Sequence, residues 1–187
     1  METLDLLQRR RSSKKFGQDV PNAEQLENMF KAAVRAPDHG RLKPYHFVVI
    51  EPTAMETFRR CLLETAQELE MGDEGVTKAE KLAKRAPMVI GIIAKIAKDL
   101  PKVPAWEQMV TAGCATYAMQ LAANVQGFET CWITNKWIKG QALRQVFGCQ
   151  ADDEIVALLL VGSPLENDSI TTASQTEEIT DFVSYLK

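Results

Sequence analysis

The feature that most constrains the fold is a long apolar segment between Trp106 and Gln126. It is long enough for about six helical turns, and its middle, "AGCATYAMQLAA", has hardly any charge on any face. A helix that is apolar all round is buried on all sides. A chain of 187 residues can cover one side of such a helix with its own sheet, so we predict that another subunit covers the second side.

The rest of the sequence predicts alternating strands and helices. Short apolar stretches predict strands at residues 46–50, 88–94, 129–133 and 155–161, and the second is apolar throughout, as in a central strand covered on both faces. The clearest further helix follows Asn22, an N-cap with Gln25 at the capping-box position. No internal repeat occurs. We therefore predict one domain, residues 1–187, built as a three-layer α/β sandwich around a mixed sheet.

Composition argues against several classes of protein. With 22 Lys and Arg against 25 Asp and Glu, the chain is slightly anionic, whereas broad nucleic-acid binding requires a dominant basic face. The four cysteines are far apart and only two histidines occur, so spacing gives no zinc site. Neither a signal peptide nor a membrane-spanning segment is evident, and free thiols suit a reducing compartment. We predict a cytoplasmic protein without metal, nucleic-acid or membrane partners.

A basic stretch near the amino terminus, "RRRSSKKF" (residues 9–16), contrasts with the overall charge. Arginine binds phosphate bidentately, and a serine hydroxyl adds a short neutral donor. In an extended segment Arg10, Ser12 and Lys14 point to one side, where they can converge on one phosphate. A solvated basic loop explains the same spacing equally well.

A second basic segment, "RAPDHGRLKPYHF", contains Arg35 and places His39, Arg41 and Lys43 at alternate positions. Three cationic or protonatable groups can again face one way. Spacing alone favours simpler interpretations for two of these residues. Arg35 is then a helix C-terminal cation, and His39 is a loop histidine bonded to a carbonyl. The later "RAP" contains Arg85, which the helix macrodipole explains by itself.

A third segment, "QGFETCWIT", ends the long helix at a glycine and places Trp132 near the end of the next strand. Backbone N–H groups beyond that strand could reach a flat heterocycle, although a tryptophan belongs more often to a core. The chain contains no dinucleotide or triphosphate fingerprint and no nucleophile elbow. Because no set of acid, base and nucleophile is apparent, we predict that a bound cofactor carries the chemistry.

Together and in this order, the three segments resemble the FMN-dependent nitroreductase family. "RRSSKKF" resembles the family's R-x-S-x-[KR]-x-F opening, and "RAPDHGRLKPYHF" resembles its A-P-S-x-x-N-x-Q-P-W-x-F segment. "AGCATYAMQLAANVQGFETCWI" resembles its run of small residues that ends in G-[LF]-x-[ST]-x-W-I. The short length and "RAPDH" indicate the compact NAD(P)H nitroreductase branch. The second segment departs from the family pattern at Asp38, Arg41, Lys43 and Tyr45.

The resemblance implies an α+β fold of three layers, α/β/α, with a central mixed, mainly antiparallel sheet. It also implies a homodimer that holds FMN at the subunit interface. A domain-swapped C-terminal arm would cross to the partner subunit. The apolar residues of "DFVSYL", residues 181–186, would then have a surface to pack on.

The resemblance further implies, by position, which residues contact FMN. Arg10, Arg11 and Ser12 hold its phosphate end. Lys14 faces the pyrimidine edge, where a cation stabilises the negative charge of the reduced ring. The remaining implied contacts are Arg35, His39, Trp132, Ile133 and Thr134. Either subunit can contribute the first two. A nicotinamide nucleotide site is implied at Ala122, Ala123, Asn124, Val125, Gln126 and Gly127, although an apolar helix end also has a sufficient packing explanation.

The implied activity is that of an FMN-dependent oxidoreductase without a catalytic side chain. NADH or NADPH gives hydride to flavin N5, the oxidised nucleotide leaves, and a nitroaromatic or quinone-like acceptor is reduced in its place. Such a ping-pong cycle depends on geometry and a tuned flavin more than on protein acids. Two alternatives stay open: an FMN-dependent dehydrogenase or dehalogenase-like enzyme of the same fold that does not use NAD(P)H, and a non-catalytic flavin-binding protein.

Overall fold

The computed structural model of the chain describes residues 3–165 and 179–186. Within them, helices and strands interleave as predicted, and short 3-10 turns connect several of them. The helices are Thr3–Arg9 (α1), Ala23–Ala33 (α2), Met55–Glu68 (α3), Gly72–Ala83 (α4), Ala105–Val125 (α5) and Gln141–Val146 (α6). The strands are Tyr45–Ile50 (β1), Met88–Ala94 (β2), Glu129–Ile133 (β3) and Glu154–Gly162 (β4).

The four strands form one sheet in the order β1-β2-β4-β3. Every pairing in it is antiparallel, so for the described residues the prediction of a mixed sheet is corrected to an antiparallel sheet. Two helices, α3 and α4, connect β1 to β2, and β2 is antiparallel to β1. The single helix α5 does bring β3 into the same direction as β2. However, β4 lies between these two strands, and no parallel pair forms.

Helices cover both faces of the sheet, which confirms the predicted α+β fold with three α/β/α layers. Helices α3, α4 and α6 pack on one face, against side chains such as Val89 and Leu158. Helices α2 and α5 pack on the other face, against side chains such as Ile90 and Leu159. All seven residues of β2 are buried, as expected for a central strand between two helical layers.

A β-bulge at Val156 in β4 shapes one end of the sheet. Ile92 of β2 pairs with Ala157, whereas the next residue, Ile93, pairs with Ile155. As a result, Ile155 faces the α3, α4 and α6 layer and Ala157 faces the α2 and α5 layer, although residues two apart in a regular strand share a face. The Val156 carbonyl accepts a 3.2 Å hydrogen bond from Nε1 of Trp132. The bulge therefore helps to position Trp132.

The described residues cover helix α5 on one side only. Ala112, Ala115 and Met119 are fully buried against the sheet. On the other side, large apolar residues expose two fifths or more of their surface: Trp106, Met109, Val110, Tyr117 and Val125. Residues 3–165 and 179–186 thus leave open the second side of the helix, which the sequence predicts to be covered by another subunit.

The end of the chain also exposes apolar side chains. Phe182 and Tyr185 are 78% and 83% exposed, and none of residues 179–186 is buried. Residues 166–178, which belong to the predicted C-terminal arm, lie outside the described residues. The exchange of this arm between subunits therefore stays a prediction.

Candidate functional site

The basic segment near the amino terminus runs along the outer edge of the sheet. Helix α1 ends at Arg9, and residues 10–16 continue without regular secondary structure. The Ser13 N–H donates a 2.9 Å hydrogen bond to the carbonyl of Thr130 in the edge strand β3. The Phe16 side chain is buried in the core. These two attachments hold the basic segment against β3.

Arg10 is the half-buried cation of this segment, whereas Arg11, Ser12 and Lys14 are exposed. The guanidinium carbon of Arg10 lies 5.9 Å from the centre of the Tyr117 ring in α5, within cation–π range. Its Nη1 atom is buried and has no hydrogen-bond partner among the described residues. Leaving such a donor unpaired costs roughly 1–3 kcal/mol, or more for a charged group. The site therefore suits an anion that these residues do not themselves supply.

Three cations influence the pKa of Cys131 in β3. Burial raises the pKa of the Cys131 thiol, and the positive charges of Arg85, Arg10 and Lys14 act in the opposite direction. Arg85 lines a cavity together with the predicted site residues Trp132 and Thr134, although it is far from both in sequence.

Three of the four cysteines, Cys61, Cys131 and Cys149, do not offer a nucleophile. Burial is the main cause that raises the pKa of the Cys61, Cys131 and Cys149 thiols. A thiol with a raised pKa is protonated at neutral pH, and the thiolate is the nucleophilic form.

Within residues 3–165 and 179–186, no three His, Cys, Asp or Glu side chains group so that they could hold a metal ion. No helix in this part of the chain is long and apolar enough to cross a membrane.

Trp132, Ile133 and Thr134 lie at the carboxyl end of β3. Trp132 and Ile133 are half-buried and Thr134 is exposed. The indole N–H of Trp132 is already bonded to the bulge in β4, so its apolar surface is what it can offer to a ligand. These residues border a cavity of 360 Å³ whose opposite wall is the end of α4. The cavity is further lined by Lys78, Lys81, Leu82, Arg85, Asn135 and Trp137.

Arg35 and His39 lie beside the exposed side of α5. Arg35 and Tyr117 both line a groove of 580 Å³ between the end of α2 and this side of α5. The Nδ1 atom of His39 lies 2.7 Å from the carboxylate of Glu107, in the first turn of α5. Glu107 and Tyr117 are ten residues apart, about 15 Å along the helix axis. Within one chain, the structure therefore brings Arg35, but not His39, near the ring against which Arg10 packs.

Asp38 organises the loop that departs from the family pattern. Its carboxylate accepts hydrogen bonds from the backbone N–H groups of Leu42, at 3.2 Å, and Lys43, at 2.7 Å. Arg41 and Lys43 have φ angles of 53° and 49°, a left-handed conformation that is uncommon in residues other than glycine. Asp38 thereby supports an unusual turn, on which the side chains of Arg41 and Lys43 are exposed.

The segment predicted to bind a nicotinamide nucleotide, residues 122–127, lies at the opposite end of β3 from Thr134. A five-residue strand is about 17 Å long, so the two sites are well separated in one chain. Nε2 of Gln126 donates to the Gln25 carbonyl, and its Oε1 accepts from Asn28 Nδ2. Packing of α5 against α2 accounts for this segment, and its role in nucleotide binding stays a prediction.

Three residues of this region were not selected from the sequence: Tyr117, Glu107 and Arg85. Tyr117 is the one aromatic side chain in the small-residue stretch of α5, and this signal could have singled it out. Glu107 and Arg85 carry no comparable signal, because their neighbours in space come from distant parts of the chain.

Solved structures share this fold. A nitroreductase-like family protein from Bacillus cereus matches with a TM-score of 0.80 at 16% identity, over 100% of this chain and 97% of the other. The FMN and NADPH-dependent nitroreductase NfnB from Sphigopyxis sp. strain HMH matches with a TM-score of 0.76 at 16% identity, over 100% of both chains. At such identities the likeness establishes the fold.

Sequence comparison establishes the family. The model of the Nitroreductase family matches residues 7–163, and the chain therefore belongs to this family of oxidoreductases. A Haemophilus influenzae protein named "Putative NAD(P)H nitroreductase" is 49% identical over 186 residues, which cover 100% of both chains. The family resemblance read from the three segments is confirmed, as is the prediction that the chain is an enzyme of this type.

Proposed function

We propose that this chain is an FMN-dependent oxidoreductase that uses NADH or NADPH to reduce flat, electron-poor acceptors such as nitroaromatics and quinones. The observation that carries the proposal is the buried Nη1 atom of Arg10, a charged donor without a partner among the described residues. The names of similar proteins support it, since NfnB is FMN- and NADPH-dependent and the Haemophilus relative is named for NAD(P)H.

The residues present fit the phosphate end of FMN. Arg10 offers a guanidinium whose Nη1 has no partner among the described residues, and Arg11 and Ser12 follow it with exposed side chains. Hydrogen bonds between a guanidinium and a phosphate are roughly twice as strong as neutral ones. A bound phosphate would also compensate the charge that Arg10 buries. Arg10, Arg11 and Ser12 would therefore hold this group, and Lys14 would face the ring.

Trp132, Ile133 and Thr134 would border the flavin ring. The Trp132 side chain is held by its bond to the bulge carbonyl, so its apolar surface is fixed before any ligand arrives. FMN, when bound, supplies the hydride chemistry that none of these side chains can perform. The task left to the chain is to position donor and acceptor in turn and to limit access of water.

A second copy of the chain would complete the site. The exposed apolar side of α5 would be buried against the same side of α5 in the partner, as in a two-fold interface. Within one chain, His39 contacts α5 about 15 Å from Tyr117. Arg35 and His39 are therefore expected to reach the flavin held by the other subunit.

Absorbance and rapid-mixing experiments test the proposal. The purified chain is expected to show the absorption bands of oxidised flavin, or to gain them on addition of FMN. NADH or NADPH should bleach these bands, and a nitroaromatic or quinone should restore them. A chain that stays colourless and takes up no FMN contradicts the cofactor. Bound FMN that neither nucleotide bleaches contradicts the reductase and favours the enzyme class that does not use NAD(P)H.

A further inference from the structure

The arginines of the described residues fall into two groups. One group makes ion pairs or hydrogen bonds with the protein: Arg9, Arg59, Arg60 and Arg144. The other has no such side-chain bond within residues 3–165 and 179–186: Arg10, Arg11, Arg35, Arg41 and Arg85. The first four of this second group belong to the two basic segments described above. Arg85 belongs to neither segment, and the helix macrodipole does not require that its guanidinium stay unpaired.

Arg85 occupies a short connection between α4 and β2. Its N–H donates a 3.1 Å hydrogen bond to the Leu82 carbonyl in the last turn of α4, and the next residue, Ala86, is buried. The connection is therefore anchored on both sides of Arg85, which is itself half-buried. Its side chain lines the 360 Å³ cavity together with Trp132 and Thr134. These are residues expected to border the flavin ring.

The charges around this cavity are unequal. Lys78, on its wall, forms a 2.6 Å ion pair with Glu74. Lys81 and Arg85 have no ion pair among the described residues, but Lys81 is exposed whereas Arg85 is half-buried. Arg85 is also the strongest of the positive charges that act on the Cys131 thiol. An indole and a guanidinium that has no ion pair among the described residues line one cavity, and together they suit a flat ring that acquires negative charge.

We propose that Arg85 contacts the pyrimidine edge of FMN and, with Lys14, stabilises the negative charge that the ring gains on reduction. The inference rests on the proposed function, in which a nicotinamide nucleotide is the hydride source. A hydride brings two electrons and one proton, so it leaves one negative charge on a neutral ring. A nearby cation therefore binds the reduced ring more tightly than the oxidised ring, and it raises the midpoint potential.

The residues that line the cavity indicate that Arg85 contacts the ring of FMN rather than its phosphate. Arg85 shares its cavity with Trp132 and Thr134, whereas the unpaired Arg10 packs against Tyr117 in α5. Two different cations thus lie at two different places, and only one of them is beside the residues expected to border the ring.

The test compares Arg85→Ala and Arg85→Gln with Arg85→Lys and with a matched control. Lys84, the neighbouring residue, is exposed and pairs with Glu80, so Lys84→Ala removes a charge at the same helix end but outside the cavity. The two-electron midpoint potential of bound FMN is measured against reference dyes. Dissociation constants of oxidised FMN and of riboflavin, which lacks the phosphate, are measured by flavin fluorescence.

Arg85→Ala is expected to lose at least tenfold of the preference for reduced over oxidised FMN, which lowers the midpoint potential by about 30 mV. Arg85→Gln, which keeps most of the side-chain volume, should behave alike and serves if the alanine variant does not fold. Arg85→Lys should retain most of the potential, and Lys84→Ala all of it. Riboflavin should lose affinity for the Arg85→Ala variant together with FMN.

Two results would overturn the inference alone: an unchanged midpoint potential in both neutral variants, or a loss of affinity confined to FMN, which would place Arg85 at the phosphate. In either case the wild-type chain would still bind FMN and be reduced by NADH or NADPH. A wild-type chain that binds no FMN overturns the proposed function as well.

Discussion

Arg10 shows how a single atom can point to a ligand. Its guanidinium lies over the Tyr117 ring, yet its buried Nη1 has no partner among the described residues. A fold that keeps such a donor unpaired loses stability, and a ligand that pairs with it returns that stability to the folded state. Bound FMN is therefore expected to stabilise the fold as well as to serve the reaction.

Combined substitution of Arg10→Ala and Ser12→Ala is expected to lower the affinity for FMN by at least about 2 kcal/mol, or roughly 30-fold. The reason is that charge-assisted hydrogen bonds contribute roughly 1.5–3 kcal/mol each. A fluorescence titration of the apoprotein measures the change. Arg9→Ala is the matched control, because Arg9 is exposed and already pairs with Asp5. Equal FMN affinity in the double variant and the wild type would contradict the phosphate assignment.

Among the secondary-structure elements, β2 packs closely against the end of α6. A Cβ atom at Gly91, in the middle of β2, would overlap the ring of Phe147. Both residues are buried between the sheet and its α3, α4 and α6 layer. The glycine inside the apolar run "MVIGIIA" is thus explained by close approach of a side chain.

Gly91→Ala is therefore expected to destabilise the chain by about 1–3 kcal/mol, the usual cost of overpacking a core. Urea unfolding followed by circular dichroism measures this difference. Gly113→Ala in α5 is the control, because the atom nearest to its added Cβ is 3.7 Å away, an ordinary contact. This change should be neutral or stabilising by up to about 1 kcal/mol, since alanine favours helices over glycine. Equal stability of the two variants would show that the Phe147 contact is not tight.

The exposed side of α5 is the proposed subunit interface, so a charge introduced there should weaken dimerisation. Val110 is 56% exposed in the described chain and lines the groove beside Arg35. Val110→Lys should leave the fold intact but weaken dimerisation at least about 100-fold, because burying an unpaired charge costs several kcal/mol. Sedimentation equilibrium measures the dimer constant.

The control for this interface is Val146→Lys in α6, on the opposite layer, where the valine is 48% exposed. It introduces the same charge at similar exposure but away from α5, so the dimer constant should not change. An unaltered dimer in the Val110→Lys variant would exclude this side of α5 as the interface.

At the scale of the whole molecule, we expect the end of the chain to contribute to dimer formation but not to the stability of the fold. None of residues 179–186 is buried, and Phe182 and Tyr185 are largely exposed. Deletion of residues 179–187 should therefore leave the circular dichroism spectrum unchanged and weaken the dimer, if the arm packs on the partner. The double substitution Phe182→Ser and Tyr185→Ser should reproduce this loss in the full-length chain. Dimers as tight as the wild type in both variants would contradict the exchanged arm.

Much of the local structure follows from the sequence because its causes are local. The capping box of Asn22 and Gln25 is formed as predicted, and β2 and β3 begin and end at the predicted residues. Side-chain spacing and short-range hydrogen bonds decide these features. The basic segment and the Trp132 strand were likewise selected from residue types alone. The structure then places the two segments side by side through the bond between Ser13 and Thr130.

Strand order, the bulge and the partners of the cations have non-local causes. The position of β4 between β2 and β3, and the extra residue Val156, depend on pairings between segments about 60 residues or about 30 residues apart. Arg85 looks like an ordinary helix-end cation until α4 and β3 pack together. No pattern within one segment contains this information.

The sequence by itself determined most of the helices and strands, including the long apolar helix. It also contained the motifs of the Nitroreductase family and the segments from which a site could be built. Only the tertiary structure decided that all described strands are antiparallel, that Arg10 Nη1 lacks a partner among the described residues and that Arg85 lines the cavity beside Trp132. The physical reason is one of range. Backbone propensity and periodicity act over a few residues, whereas burial, electrostatics and register arise when distant segments pack against each other.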